Sequence, residues 1–169
     1  LIWDNLSTDN TFDVISSFKD KRIIYFKSEI FDSLYTARNK AIDFSNGDLI
    51  TFLDSDDIWL PNKLEEQSNI IQDDRIDFCY SNFYQISKNS KKIFPPKAYY
   101  SNLPSGKIYK NLLQKYTVGI LTLCLRKKSL VKFGMSFEPR YSIIGDMVFV
   151  LELSEFGNCY ASQNCLACY

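Results

Sequence analysis

The segment Leu49-Ile50-Thr51-Phe52-Leu53-Asp54-Ser55-Asp56-Asp57-Ile58-Trp59 decides how this chain is read. A short, largely apolar run feeds directly into three carboxylates, Asp54, Asp56 and Asp57. Apolar runs of this kind are interior strands of parallel sheets. Ligands bind beyond the carboxyl ends of such strands. Asp54 and Asp56 are two apart, so an extended backbone points them the same way. Like charges held close together need a counterion. The suitable one is a hard divalent cation with oxygen ligands, Mg2+ or Mn2+, its shell completed by substrate phosphates. A solvated acidic turn capping the next helix explains the same spacing, and Asp57 fits that role.

Outward from this segment the elements alternate, which favours an α/β fold. Residues 1–3 read as the tail of a strand, and Asp4-Asn5-Leu6-Ser7-Thr8 as turn chemistry in which Ser7 or Thr8 can cap a helix. Phe12, Ile15 and Phe18 recur at helical spacing, 22–26 reads as a strand, and Leu34, Ala37, Ala41 and Phe44 mark one face of a second helix. Residues 48–53 predict the buried strand. Pro61 opens a helix carrying Leu64 and Ile71. Strands are expected over 78–86 and 120–125, short helices over 108–113 and 129–133, a helix over 146–156 stopping at Gly157, and a final strand over 159–169. Residues 88–105 are polar and proline-containing, so a long loop is expected there.

Composition bounds the chemistry. The 169 residues carry 20 Lys plus Arg against 20 Asp plus Glu, which argues against nucleic acid as a partner. Histidine is absent, so His-based zinc sites and Ser-His or Cys-His dyads are excluded, and acid–base work falls to carboxylates, Tyr, Lys or Cys. The cysteines, 79, 124, 159, 165 and 168, form an odd, scattered set with no leader pattern before them, the usage of a reducing compartment. Cys165-x-x-Cys168 lacks a partner pair and a following helix start, so strand packing explains it best. No apolar stretch is long enough to span a bilayer. Lys88, Lys91 and Lys92 read as a solvated loop, with contact to a phosphate-bearing lipid or an anionic membrane surface as the alternative. Trp59, Tyr99 and Tyr100 are aromatic groups suited to stacking on sugar rings.

Taken on, from Gly47-Asp48 through Leu60-Pro61-Asn62-Lys63-Leu64, the opening segment resembles the Asp-x-Asp region of family 2 glycosyltransferases with the GT-A fold. Three further motifs agree in order. Asp4-Asn5-Leu6-Ser7-Thr8-Asp9 resembles that family's first nucleotide-binding turn, Ala37-Arg38-Asn39 its Ala-Arg-Asn helix start, and Gly145-Asp146-Met147 the late segment that carries the base. The resemblance implies a single GT-A-like (Rossmann-like) domain over 1–169, a mostly parallel sheet flanked by helices. It implies a metal-dependent, inverting transfer of a sugar from a nucleotide-diphosphate donor, a UDP-sugar, to a saccharide or lipid-linked acceptor. The setting it implies is bacterial surface polysaccharide synthesis in the cytoplasm or at the inner face of the membrane. By the same resemblance Asp56 holds the metal, Asp54 sits by the ribose or assists the metal, Asp4 and Asn5 meet the base, Arg38 faces the pyrophosphate, and Asp146 is the catalytic base. Taken without the resemblance, Asp146 reads as a helix N-cap and Arg38 as a surface helix arginine.

Leu6 stands where the family usually has Gly, in a tight turn, and Asn5 replaces a common Asp. The chain opens at what looks like the family's second strand and stops just after the base helix. A partial domain is therefore expected, lacking the usual first strand and helix, with two open sheet edges, marginal stability and poor activity. An inactive remnant that at most binds nucleotide is one alternative. A HAD-like phosphatase, whose nucleophile motif is also an apolar strand ending in Asp-x-Asp, is another. Ile58 and the lack of a second acidic motif late in the chain count against it.

Overall fold

The computed structural model describes residues 1–86 and 99–169. They fall into two compact units, Leu1–Asn46 with Ser136–Gly145, and Gly47–Met135 with Asp146–Tyr169.

The first unit pairs β1 (Ile2–Asp4) in parallel with β2 (Tyr25–Lys27) and carries α1 (Thr11–Ser17) and α2 (Leu34–Asp43). Its apolar centre is aromatic: Trp3 stacks on Phe26, and both rings meet Phe44 beyond the end of α2. The Ser33 hydroxyl caps α2 by accepting from the Thr36 N–H. Helix α1 starts later than the sequence reading placed it. Asn10 stands at its N-cap without a side-chain bond, and Asp9, not Ser7 or Thr8, accepts from the Thr11 N–H. No residue of α1 is buried. Residues 136–145 are tied to α2 by Asn39, whose amide exchanges two hydrogen bonds with the backbone of Phe137.

The second unit is a five-stranded sheet in the order β3 (Leu49–Thr51), β6 (Cys124–Arg126), β5 (Phe78–Tyr84), β7 (Cys159–Cys168), β4 (Ile58–Trp59). Helices α3 (Lys63–Ile70), α4 (Tyr109–Gln114), α5 (Lys127–Phe133) and α6 (Gly145–Phe156) accompany it. The central strand β5 is buried from Phe78 through Phe83, as a strand covered on both faces must be. The fold is α/β, but the sheet is not mostly parallel. β5 and β7 run parallel, while β3–β6, β5–β6 and β4–β7 are antiparallel. An apolar run records that both faces of a strand are covered and nothing about its direction, so burial alone misled the reading.

Two further expectations shift. Residues 120–125 are not one strand but a 3-10 turn, Ile120–Thr122, followed by the short β6. The buried strand predicted over 48–53 ends at Thr51. Cys165 and Cys168 lie on β7 as free thiols, as strand packing requires. Among the described residues β1 has only β2 beside it and β3 only β6, so each keeps one open edge. Lys88, Lys91 and Lys92 lie outside the described residues.

Candidate active site

Because β3 stops at Thr51, Asp54 and Asp56 are not on an extended strand, and the alternation argument for their direction does not apply. They sit in a tight turn closed by the Asp57 N–H donating to the Asp54 carbonyl at 3.1 Å. Asp56 stands at the corner, exposed, while Asp54 and Asp57 are half-buried. Both stems of the turn are anchored. Thr51 donates through its hydroxyl to the Leu123 carbonyl at 2.7 Å, and Trp59 through its indole N–H to the Leu121 carbonyl at 3.0 Å. Trp59 and Tyr100 pack against the buried cluster of Phe83, Leu121 and Ala167, and Tyr99 stacks on Phe83. Among the described residues no group of three or more Cys, Asp or Glu is placed to hold a metal ion. The donor set offered is two carboxylates on one turn. That suits a hard cation whose remaining positions are filled by water and phosphate oxygens, the way Mg2+ is usually bound.

Asp146 lies in the first turn of α6, one residue inside the helix and not at its N-cap. Its carboxylate accepts from the Met147 N–H at 2.9 Å, among the unpaired amides of a helix start. Within the first unit, Tyr35 holds Ile143 and Gly145. Its hydroxyl accepts from the Gly145 N–H at 2.8 Å and donates to the Ile143 carbonyl at 3.0 Å. A Cβ at position 145 would overlap the Tyr35 ring, so only glycine fits there.

In the first unit, Asp4 is buried at the end of β1, where it accepts from the Ser7 N–H at 2.7 Å and from the Tyr25 hydroxyl. Burial alone would raise its carboxyl. Hydrogen bonds from Tyr25 and Ser7 and the Lys27 charge outweigh that and hold it below the ordinary 3.8. The same bond raises the Tyr25 hydroxyl to about 12. A carboxylate held low supports folding above its unfolded value, and that support is lost as pH falls through its folded value. Tyr25→Phe removes a donor, so the acid-side loss of stability should begin at higher pH in that variant. Denaturant midpoints between pH 5 and pH 2, by circular dichroism, measure it.

Asn5 is engaged on both sides of its amide. Its NH2 donates to the Asp32 carbonyl at 2.9 Å, and its oxygen accepts from the Asp32 N–H at 3.0 Å. Asp32 is buried and pairs with Lys40 at 2.7 Å. Leu6 takes φ 68°, the sole described non-glycine residue with positive φ, at the position where glycine was expected. A left-handed residue with a Cβ costs about 1–2 kcal/mol. Leu6→Gly should therefore be about 1 kcal/mol more stable than Leu6→Ala. The two variants lose the same side chain, so their difference in urea midpoint isolates the backbone.

Arg38 is not a surface arginine. It is buried, its guanidinium lying 5.8 Å from the Tyr35 ring centre and 5.6 Å from that of Phe137. Sequence reasoning missed Tyr25, Asp32, Lys40 and Tyr35. Their partners lie 21 residues away for Tyr25 and 110 for Tyr35, and no local spacing signals such pairs.

The model of the family described as "Glycosyl transferase family 2" matches residues 1–134. The chain belongs to glycosyl transferase family 2. The family assignment sets aside the phosphatase reading. Similar family members include the UDP-Glc:alpha-D-GlcNAc-diphosphoundecaprenol beta-1,3-glucosyltransferase WfgD of Escherichia coli, 36% identical over 140 residues, 81% of this chain and 52% of WfgD. The putative teichuronic acid biosynthesis glycosyltransferase TuaG of Bacillus subtilis is 27% identical over 172 residues, all of this chain and 66% of TuaG. Among solved structures, S. aureus TarS 1-349 in complex with UDP matches with TM-score 0.77 at 18% identity, covering 99% of this chain and 49% of that one. That likeness shows the GT-A fold for this chain. The chain thus spans about half the length of WfgD and of the TarS chain. Among the described residues no helix is long and apolar enough to cross a membrane.

Proposed function

We propose that this chain carries the donor-binding part of an inverting glycosyltransferase. It would move a sugar from a UDP-sugar to a saccharide or lipid-linked acceptor in bacterial surface polysaccharide synthesis. The observation that supports this best is the exposed acidic turn, anchored at both stems, just beyond β3 in a chain of this family. The names of WfgD, with its UDP-Glc donor and diphosphoundecaprenol-linked acceptor, and of the UDP-bound TarS structure support the donor and acceptor classes.

Asp56 and Asp54 would hold Mg2+ or Mn2+, with Asp54 also placed for the ribose. A bound divalent cation neutralises the charge that develops on the departing nucleotide diphosphate. Asp4 and Asn5 are assigned to the base, within a turn that their own hydrogen bonds hold in one shape. Arg38 is assigned to the pyrophosphate, and a buried guanidinium held beside two stacked rings presents its donors with little freedom left to lose. Asp146 would take the proton from the acceptor hydroxyl as that oxygen attacks the anomeric carbon opposite the leaving group. Its carboxylate, anchored by the Met147 N–H, keeps a second oxygen for that proton.

The experiment incubates the 169-residue chain with UDP-glucose or UDP-GlcNAc, Mn2+ and a GlcNAc-diphospho-lipid. The expected product is a β-linked disaccharide with release of UDP, formed slowly. An α-linked product, or neither product nor UDP binding, contradicts the reading.

A further inference from the structure

Lys63 is fully buried in the second unit, the one lysine among the described core side chains there. A buried lysine costs stability unless a charge or a full set of acceptors meets it. No described carboxylate forms an ion pair with Lys63, and the titratable groups facing it are the thiols of Cys124 on β6 and Cys79 on β5. Burial pushes its ammonium down to about 8 from 10.5. Leu or Met would fill the same space at no such cost. What the ammonium does instead is bridge. It donates to the Thr51 hydroxyl at 2.9 Å and to the Gln67 side-chain oxygen at 2.6 Å, and it sits 4.3 Å from the centre of the Trp59 ring.

Thr51 is the last residue of β3 and Trp59 the last of β4, so one ammonium group grips both stems of the acidic turn. The three partners of Lys63 then each donate to one of three successive carbonyls: Trp59 to Leu121, Gln67 to Thr122 and Thr51 to Leu123. The spacing of the two stems is thereby fixed against a single short backbone segment. We propose that Lys63 is a positioning residue, clamping Thr51 and Trp59 so that Asp54 and Asp56 are held in one geometry. The proposal rests on the acidic turn being the cation and diphosphate site.

The clamp separates two quantities that a merely structural lysine would move together. Lys63→Met removes a buried charge that no carboxylate pairs and keeps the volume; the desolvation relieved offsets the donor lost to the Gln67 oxygen, so the thermal midpoint should stay level or rise. The same variant should bind UDP in Mn2+ about 10- to 100-fold more weakly, the range for residues that orient metal ligands from behind. Its Trp59 emission should shift, since the cation has left the ring. Thr51→Val, which breaks the other half of the clamp with Lys63 in place, should weaken binding in the same direction. Titration calorimetry with UDP and Mn2+ on the wild-type chain, both variants and Asp56→Ala decides the matter. Loss of binding in Lys63→Met at an unchanged or higher thermal midpoint supports the clamp. Full affinity in Lys63→Met and Thr51→Val, with Asp56→Ala impaired, overturns the clamp and leaves the site intact. Binding and midpoint falling together in Lys63→Met and Thr51→Val overturns it in favour of plain packing. If the wild-type chain binds no UDP, the site and the clamp both fall.

Discussion

Replacing Asp56 by Ala is expected to lower the affinity for UDP in Mn2+ by at least ~100-fold, and to leave the far weaker binding in chelator unchanged. A residue that only orients a metal ligand is worth about 10- to 100-fold, so loss of a ligand itself should reach or exceed the upper figure. The geometry makes this substitution clean. Asp56 is exposed at the corner of its turn, and the stems that hold the turn are bonded through the side chains of Thr51, Trp59 and Lys63 and not through its carboxylate. The thermal midpoint should therefore barely move, since a surface substitution away from packed features stays within about 0.5 kcal/mol. An Asp56→Ala chain that keeps its Mn2+-dependent affinity would show that the acidic turn is only a solvated cap.

The second large effect is expected at Asp146. Asp146→Asn should slow sugar transfer by about 10²- to 10⁴-fold, the usual share of a positioned general base. UDP binding in Mn2+ should not change. The amide keeps an oxygen to accept from the Met147 N–H, and Asn is tolerated at helix starts, so α6 should begin where it does now. That makes the substitution discriminating. If Asp146 served the helix alone, the Asn variant would transfer at the wild-type rate. Single-turnover transfer with the same acceptor, read beside the calorimetric affinity, separates loss of the base from loss of the donor site.

The fold was legible where chemistry is local. A short strand ahead of the carboxylates, the helix end before Gly157 and the cysteines on the last strand were legible because a few neighbouring residues determine them, although that short strand ends at Thr51. Strand direction was not legible. β6 and β5 are as apolar as parallel neighbours would be, yet they run antiparallel. Leu6, which stands where the family pattern has glycine, sits at φ 68°, the left-handed region that favours glycine.

The candidate site was legible in its acids and not in what holds them. Asp54 and Asp56 share one turn, but their shared direction was argued from an extended backbone that ends at Thr51. Arg38 read alone as a surface residue and is buried beside two stacked rings, one supplied by Phe137, nearly a hundred positions away. Lys63 carried no signal of its own, because a lysine in the first turn of a helix reads as solvated. Only the close approach of Thr51, Trp59 and Gln67 shows what surrounds it. Groups that do chemistry are marked by type and neighbours. Groups that hold them are marked by contacts across the fold, which a single sequence does not display.

The most direct measurement is titration of the 169-residue chain with UDP, once in Mn2+ and once in excess chelator. Binding that appears with the cation and fades by at least ~100-fold without it is the predicted result. Equal affinity in both buffers would contradict the assignment of the aspartates beyond β3 to a cation that grips the diphosphate.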